Sequence, residues 1–176
     1  MSTIIITGSS GLVGSESVDF FCKKGFDVIG IDNNLRSFFF GKDGSTIWVK
    51  KRLLKKHKRF NHYNVDIRNI NGLKKIFKKY KNNISLVIHC AAQPSHDYGK
   101  NFPILDFNVN AMGTLNLLEM TKQYCPDSPF IFMSTNKVYG DNPNNLKFIE
   151  KSKRWELKKN HTYYKGIDED FSIDNC

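Results

Sequence analysis

Apolar and polar residues alternate in blocks along the chain, and the apolar blocks predict five β-strands. The first, TIIIT, is rich in β-branched residues, and a later one, ISLVIH, is nearly all apolar, as expected for a strand covered on both faces. The five strands are predicted at residues 3–7, 26–31, 60–65, 84–89 and 130–133.

Between these runs, apolar residues recur at helical spacing. This predicts helices at residues 12–24, 70–80 and 102–124, with Gly25 ending the first. Residues 33–59 are basic and irregular or partly helical. Alternating strands and helices predict an α/β fold, a Rossmann-type doubly wound parallel sheet with strand order 3-2-1-4-5.

The composition sets broad limits on the class of protein. A chain of 176 residues with 40% hydrophobic and 25% charged residues is typical of one globular domain. No apolar run reaches the roughly 18–20 residues that span a bilayer, and the N-terminus lacks the basic segment of a signal peptide. We therefore expect no membrane partner. Four cysteines without metal-like spacing predict free thiols, a cytoplasmic protein and no metal site.

The net charge of +10 raises the question of a nucleic-acid partner. The densest basic segment, VKKRLLKKHKRF at residues 49–60, is compatible with binding phosphate backbones. It is equally compatible with the solvated face of a short helix that turns Leu53 and Leu54 inward. Because the segment lacks the interleaved aromatic residues of single-strand binders, we expect no nucleic-acid partner.

A glycine-rich turn, TGSSGLVG, follows the first predicted strand and opens the first helix. Gly8 permits the tight turn, Gly11 lets a pyrophosphate approach the backbone, and Gly14 lets helix and strand pack closely. Asp32, at the end of the second strand, is placed to accept hydrogen bonds from an adenosine ribose and to repel a 2′-phosphate. This favours NAD, although the nearby Arg36 leaves NADP open, and a glycine turn beside a surface aspartate is the structural alternative.

Six motifs occur in the order and at about the spacing of a known family. Together they resemble the extended short-chain dehydrogenase/reductase family of nucleotide-sugar epimerases and dehydratases. The resemblance implies that residues 1–140 form the N-terminal part of an NAD-binding Rossmann domain and that 141–176 form a polar tail. The motifs are TGSSGLVG, DNN at 32–34, VDIRN at 65–69, HCAAQPS at 89–95, NVNAMGTLNLLE at 108–119 and STNKVYG at 134–140.

The resemblance assigns roles to matching residues, although Ala91, Ala92 and Asn108 also have plain packing or capping explanations. In the family, a Ser/Thr hydroxyl matching Thr135 bonds the substrate and is catalytic. The remaining residues are implied to bind NAD: the amides of Leu12 and Val13 at the pyrophosphate, Asp32 and Asn33 at the ribose, Asp66 and Ile67 at the adenine, Ala91, Ala92, Gln93 and Ser134 at the nicotinamide, and Asn108 in support.

The family's general base is a tyrosine in the pattern Tyr-x-x-x-Lys, in which nearby positive charge lowers the phenol pKa. None of the seven tyrosines of this chain is followed four positions later by lysine. We therefore expect the catalytic helix and the C-terminal substrate domain to lie beyond Cys176, so that the C-terminal part of the fold is missing here. We also expect exposed apolar surface at Phe107, Leu117 or Leu118, and marginal stability.

Within the family, three segments look most like the 2-epimerases of CDP-paratose and CDP-tyvelose: residues 38–48, 134–144 and 161–174. That likeness implies an NAD-dependent epimerase of a CDP-linked sugar that removes and returns a hydride at C2 through a keto-sugar, is a homo-oligomer at full length, and is inactive as this chain alone. The alternatives are a 4,6-dehydratase or reductase, against which Asn136 and Lys137 argue, and a non-catalytic NAD-binding module.

Overall fold

The structure, a computed structural model, describes residues 2–134 and 138–173. The chain forms two compact units, Met1–Met133 and Ser134–Cys176. The first unit contains all of the predicted strands and helices. The second contains the polar segment, for which the sequence predicts no regular structure.

A five-stranded parallel sheet forms the centre of the first unit, and its strand order, β3-β2-β1-β4-β5, confirms the predicted Rossmann-type arrangement. The third strand is two residues shorter than predicted. It ends at Tyr63, the partner of Ile31, because the neighbouring strand also ends there. The strands are β1 (Thr3–Thr7), β2 (Asp27–Ile31), β3 (Phe60–Tyr63), β4 (Ile84–His89) and β5 (Phe130–Phe132).

Helices connect the strands and cover both faces of the sheet. The basic region between β2 and β3 is partly helical, as predicted, whereas the short helix directly after β4 was not predicted. The helices are α1 (Leu12–Lys23), α2 (Arg36–Phe40), α3 (Ile47–Lys56), α4 (Ile70–Tyr80), α5 (His96–Asn101), α6 (Pro103–Phe107) and α7 (Gly113–Tyr124).

The prediction of one long helix at 102–124 is wrong in detail. A π-helical turn, Asn108–Met112, separates α6 from α7. Side-chain bonds support this wide turn: Thr114 Oγ1 donates to the Asn110 carbonyl at 2.5 Å, and Asn110 Oδ1 accepts from the Gln93 amide at 2.8 Å. The interruption matters because π-turns are frequent at functional sites, and this one lies beside the end of β4.

The hydrophobic core has two layers, one on each face of the sheet. Successive side chains of β1 alternate between them, with Ile5 in one layer and Ile4 and Ile6 in the other. The Ile5 layer includes Phe77 of α4 and Leu117 of α7. Helices α1 and α3 contribute their buried residues to the opposite layer.

The basic segment forms α3, and its inward face differs from the prediction. Val49 and Leu53, four residues apart, are buried on one face, whereas Leu54 is 45% exposed. The lysines face solvent, and Asp19 of α1 accepts hydrogen bonds from Lys56 and, at 2.8 Å, from His57 Nε2. These bonds and that of Lys23 hold the pKa of Asp19 far below its usual value. The helix is thus anchored to α1 by its own charges.

One face of α6 and α7 carries exposed apolar side chains. Phe107 is 60% and Leu118 43% exposed, which confirms the expectation for these two residues. It is wrong for Leu117, which is fully buried against the sheet. Ile104, Met112 and Leu115 are also exposed, so the patch runs along both helices.

The second unit contains a short antiparallel hairpin of β6 (Phe148–Glu150) and β7 (Trp155–Leu157). Its other contacts are aromatic and polar: the Phe171 and Tyr163 ring centroids are 4.9 Å apart, and Tyr139 Oη donates to the Asp168 carbonyl at 2.7 Å. Strands this short escape detection from sequence periodicity. Across both units, no helix among the described residues has the length and apolarity to cross a membrane.

Candidate functional site

A cleft of about 280 Å³ lies at the carboxyl ends of the strands of the first unit, the edge at which open α/β sheets bind ligands. Three charged residues line it: Asp32, Asp66 and Arg36. The rest of the lining is mostly apolar or glycine. It consists of Gly8, Gly11, Leu12, Val13, Gly14, Ile31, Asn33, Leu35, Thr46, Val65, Ile67, Cys90, Ala91, Ala92, Pro94 and Val109.

The glycine loop forms the floor of this cleft with very close backbone packing. Gly8 has φ +63°, and a Cβ there would lie 2.7 Å from the Ala91 nitrogen. A Cβ on Gly14 would lie 2.1 Å from the Gly8 carbonyl oxygen. The Gly11 amide donates to that same carbonyl at 2.9 Å. Only glycine at positions 8 and 14 lets the loop pack so closely against β4 and against itself.

Helix α1 begins directly after this loop and points its amino end into the cleft. Gly11 is its N-cap, no side chain caps the helix, and its first turn carries no acidic residue. The amides of the first turn, including those of Leu12 and Val13, have no partner within a helix by geometry alone. They and the positive end of the helix dipole are therefore available to an anionic group.

Asp32 lies against the glycine loop rather than pointing away from it. Its Oδ2 accepts a hydrogen bond from the Ser10 amide at 3.0 Å, and its Oδ1 accepts one from the Asn34 amide at 2.8 Å. These two bonds orient the carboxylate at the cleft wall. Each oxygen retains capacity for a further donor such as a ribose hydroxyl.

The adenine side of the predicted site is joined to this carboxylate through Asn33. Asn33 Nδ2 donates to Asp66 Oδ2 at 2.8 Å, and Arg68 binds both oxygens of Asp66. Burial raises the pKa of Asp66, but the bonds from Arg68 and Asn33 outweigh it and hold the pKa below its usual value. Asp66 is therefore ionised at neutral pH, with each oxygen already accepting two hydrogen bonds.

On the opposite wall, Ala91 and Ala92 line the cleft, whereas Gln93 and Asn108 are not among its lining residues. Gln93 is buried, and its Nε2 donates to Asp106 Oδ1 at 2.7 Å. Its amide donates to Asn110 Oδ1. Gln93 thus ties the loop after β4 to the π-helical turn that begins at Asn108.

His89 supports the same loop from below and was not singled out by the sequence. Thr7 Oγ1 accepts from the Ala91 amide at 3.2 Å, so its own proton is free to go to His89 Nδ1 at 2.7 Å. On the other side, Thr114 Oγ1 donates to Asn110 and accepts from His89 Nε2 at 2.9 Å. This sequence of bonds assigns the imidazole the neutral form with its proton on Nε2. Burial lowers the pKa of His89 to about 4.

Two predicted residues lie outside this cleft's unit or outside the description. Ser134 belongs to the second unit, and Thr135 lies outside the described residues. The structure also adds Thr46 and Val109 to the cleft lining. Thr46 comes there because Asn34, in the left-handed region with φ +58°, accepts its amide at 2.8 Å. No sequence signal marks such a contact between a loop and a residue twelve positions away.

Among the described residues, no group of three His, Cys, Asp or Glu side chains is arranged to hold a metal ion. Cys22, Cys90 and Cys125 are free thiols, and burial raises the pKa of Cys90, which lines the cleft, to about 11. A thiol so hard to ionise is a poor nucleophile at neutral pH. The chemistry of this cleft is therefore that of binding, through amides and carboxylates.

Comparison with known proteins gives one family. The sequence model described as "Epimerase: NAD dependent epimerase/dehydratase family" matches residues 4–165. CDP-paratose 2-epimerase of Salmonella typhi is 33% identical over 97% of this chain and 46% of its own length. UDP-glucuronate 4-epimerase of Thermodesulfobacterium geofontis is 33% identical over 81% of this chain and 42% of its own length.

The solved structures agree. The structure of UDP-glucose 4-epimerase from Bifidobacterium longum, determined in complex with NAD⁺ and UDP, is similar with a TM-score of 0.67 and 25% identity, covering 90% of this chain and 43% of that one. The chain thus spans less than half the length of the relatives it matches.

Proposed function

Because the chain belongs to the NAD-dependent epimerase/dehydratase family, we propose that its cleft binds NAD as part of a nucleotide-sugar epimerase. The cofactor of the family is NAD. The proposal concerns which residues of this chain hold it and which sugar nucleotide the whole protein converts.

The arrangement of Asp32 against the glycine loop is the observation that carries the proposal. The loop and the start of α1 offer uncapped amides to a pyrophosphate. The Asp32 carboxylate, bonded to the Ser10 amide of that loop, stands where an adenosine ribose attached to that pyrophosphate would extend. A dinucleotide fits both features at once, whereas a mononucleotide or a metal ion needs only one or neither.

The same carboxylate favours NAD over NADP. Two backbone amides hold it in place, so it is not free to swing away from a 2′-phosphate. Arg36 lines the cleft, but its guanidinium lies over the Phe40 ring at 4.6 Å. We infer that Arg36 is engaged by that ring and does not serve as a 2′-phosphate ligand.

Within the proposed site, the chain's own residues bind and orient. Leu12 and Val13 present their amides to the pyrophosphate, Asn33 supports Asp32 and Asp66 at the adenosine, and Ala91 and Ala92 leave room for a flat ring because they are small. When bound, NAD supplies the hydride acceptor and donor of the reaction. We propose Thr135 as the hydroxyl that bonds the substrate, and Ser134 as its neighbour beside the nicotinamide.

For the substrate, we propose a CDP-linked sugar epimerised at C2. The likeness to CDP-paratose 2-epimerase over 97% of this chain supports this choice, and the residues after Thr135, Asn136 and Lys137, lack the acidic pair common in dehydratases. We further propose a cytoplasmic enzyme, on the evidence of its free thiols, and a homo-oligomer at full length. Since the chain contains no Tyr-x-x-x-Lys pair, we expect it to bind NAD without epimerising sugars.

Titration of the chain with NAD, followed by calorimetry, tests the binding proposal. Asp32→Ala removes the ribose acceptor and should weaken binding about 10- to 100-fold, as expected for hydrogen bonds to a charged group. Asp27→Ala is the matched control, because Asp27 lies at the opposite end of the same strand and should leave the affinity unchanged. Equal affinities of wild type and Asp32→Ala would contradict the assignment, and no saturable binding by wild type would overturn the function.

An epimerase assay tests the remaining proposal. The chain alone, incubated with CDP-paratose and NAD, should form no CDP-tyvelose above background. A protein extended by a Tyr-x-x-x-Lys segment from a relative should gain that activity, and should lose it again on Thr135→Val. Activity of the unextended chain would show that another residue takes the place of the tyrosine.

A further inference from the structure

We propose that an aromatic contact between α2 and α5 joins the two walls of the cleft and slows the release of bound dinucleotide. The inference rests on the proposed function, since it concerns how long NAD stays in the cleft. It assigns a retaining role to Phe39 and Tyr98, neither of which lines the cleft itself.

Helix α2 is part of the adenosine wall. It follows the end of β2 and the ribose-site residues Asp32 and Asn33, and its first residue, Arg36, lines the cleft. Its middle residue, Phe39, is only 3% exposed although it lies in a five-residue helix outside the sheet. A short surface helix buries an aromatic ring so completely only by packing it against another element.

That element is α5, which follows the opposite wall. The loop after β4 carries Ala91, Ala92 and Pro94 along the cleft and then enters α5, which carries Tyr98. The rings of Phe39 and Tyr98 meet edge to face with centroids 5.3 Å apart, and Phe40 lies 6.0 Å from the same tyrosine. Phe102 stacks on Tyr98 from the other side at 5.9 Å.

The sheet order shows what this contact spans. β2 and β4 lie on opposite sides of β1, whose end carries the glycine loop. Elements that follow β2 and β4 are therefore separated by the cleft, and the Phe39–Tyr98 pair connects them across it. A dinucleotide lying from the Asp32 wall to the Ala91 wall is enclosed by that connection, and its exit requires the ring pair to separate.

The chemistry proposed for the whole protein needs such retention. An epimerase removes a hydride from its sugar and returns it to the same sugar, so the cofactor must remain bound between the two steps. Backbone amides and carboxylates explain affinity for the dinucleotide but place no barrier on its exit. The aromatic pair supplies that barrier from residues that do not touch the reacting atoms.

Stopped-flow fluorescence measures this directly. The chain is loaded with NADH and mixed with excess NAD⁺, and the loss of bound-NADH fluorescence gives the dissociation rate. Phe39→Leu and Tyr98→Leu each keep apolar bulk while removing the ring pair, and each should raise the rate about three- to tenfold, the range expected for one aromatic pair. The double variant should dissociate no faster than the faster single variant.

Phe38→Leu is the matched control, because Phe38 belongs to the same helix, is exposed, and makes its ring contact with Phe39 rather than Tyr98. Its dissociation rate should equal that of wild type. If Phe39→Leu does not fold, the half-buried Tyr98 decides alone through its own substitution.

The outcomes separate this inference from the function it rests on. Saturable NADH binding with unchanged dissociation rates in Phe39→Leu and Tyr98→Leu overturns retention and leaves the proposed function standing. Additive acceleration in the double variant also overturns it, since the two rings would then act independently. Failure of wild type to bind NADH overturns both proposals.

Discussion

Thr7 Oγ1 and His89 Nδ1 lie 2.7 Å apart, and this hydrogen bond connects the two central strands beneath the cleft. Thr7 ends β1 and His89 ends β4, so the bond joins the strand that carries the glycine loop to the strand that carries Ala91 and Ala92. Because Thr7 also accepts the Ala91 amide, one hydroxyl positions both walls of the site.

This relationship predicts an acid-sensitive stability. Burial lowers the pKa of His89 to about 4 from its usual 6.5. The unfolded chain therefore binds a proton at His89 before the folded chain does. The free energy of unfolding should be fully supported above about pH 6.5 and should fall as the pH drops to about 4, by on the order of 3 kcal/mol.

Urea melts of wild type and His89→Gln between pH 4 and 7 measure this contribution. The variant should be less stable at pH 7 and should show a shallower loss of stability below pH 6.5. His96→Gln, which removes an exposed imidazole, should keep the wild-type pH dependence. Parallel curves for wild type and His89→Gln would contradict the prediction.

Gly14 is predicted to tolerate no side chain. A Cβ there would lie 2.1 Å from the Gly8 carbonyl oxygen, so Gly14→Ala must displace the loop or the start of α1. We expect a loss of about 1–3 kcal/mol in unfolding free energy, as for overpacked sites, together with weaker NAD binding. Gly99→Ala is the control, since its nearest atom is at 3.3 Å and affinity should be retained. Wild-type stability and affinity in Gly14→Ala would be incompatible with the loop geometry.

Asp66 is predicted to select adenine through its amino group. Both of its oxygens are occupied by Asn33 and Arg68, so the adenine amino group must take the place of one of those donors at the carboxylate. Wild type should bind NAD about tenfold more tightly than the analogue with hypoxanthine in place of adenine. Asp66→Asn, whose amide also donates, should lose or reverse this preference, whereas Asp127→Asn should keep it. The comparison is made by competition with bound NADH, and an unchanged preference in Asp66→Asn would remove Asp66 from the adenine site.

Leu117 and Leu118 are adjacent residues with opposite expected effects on stability. Leu117→Ala empties a fully buried position and should lower the free energy of unfolding by about 2–5 kcal/mol. Leu118→Lys replaces a residue that is 43% exposed and should change stability little while reducing self-association. Urea melts with sedimentation velocity separate the two effects. Since we expect a marginally stable chain, a high unfolding midpoint with a monomeric wild type would contradict that expectation.

Local sequence determined the parts of this protein that depend on neighbours in the chain. The strand runs, the glycine spacing and the position of Asp32 after β2 are local, because strand burial and helix amphipathicity follow from side chains a few residues apart. The order of the strands also followed, since alternating strands and helices permit few right-handed arrangements.

The tertiary structure alone decided which side chains meet across the sheet. His89 reads as one more residue of an apolar strand until Thr7 and Thr114 are placed on either side of it. The Phe39 run reads as an exposed loop until Tyr98, from a segment that follows another strand, covers it. The error at Leu54 has the same origin, because the helical phase of α3 is set by the surface it packs on. Such contacts join residues far apart in the chain, and no local propensity encodes them.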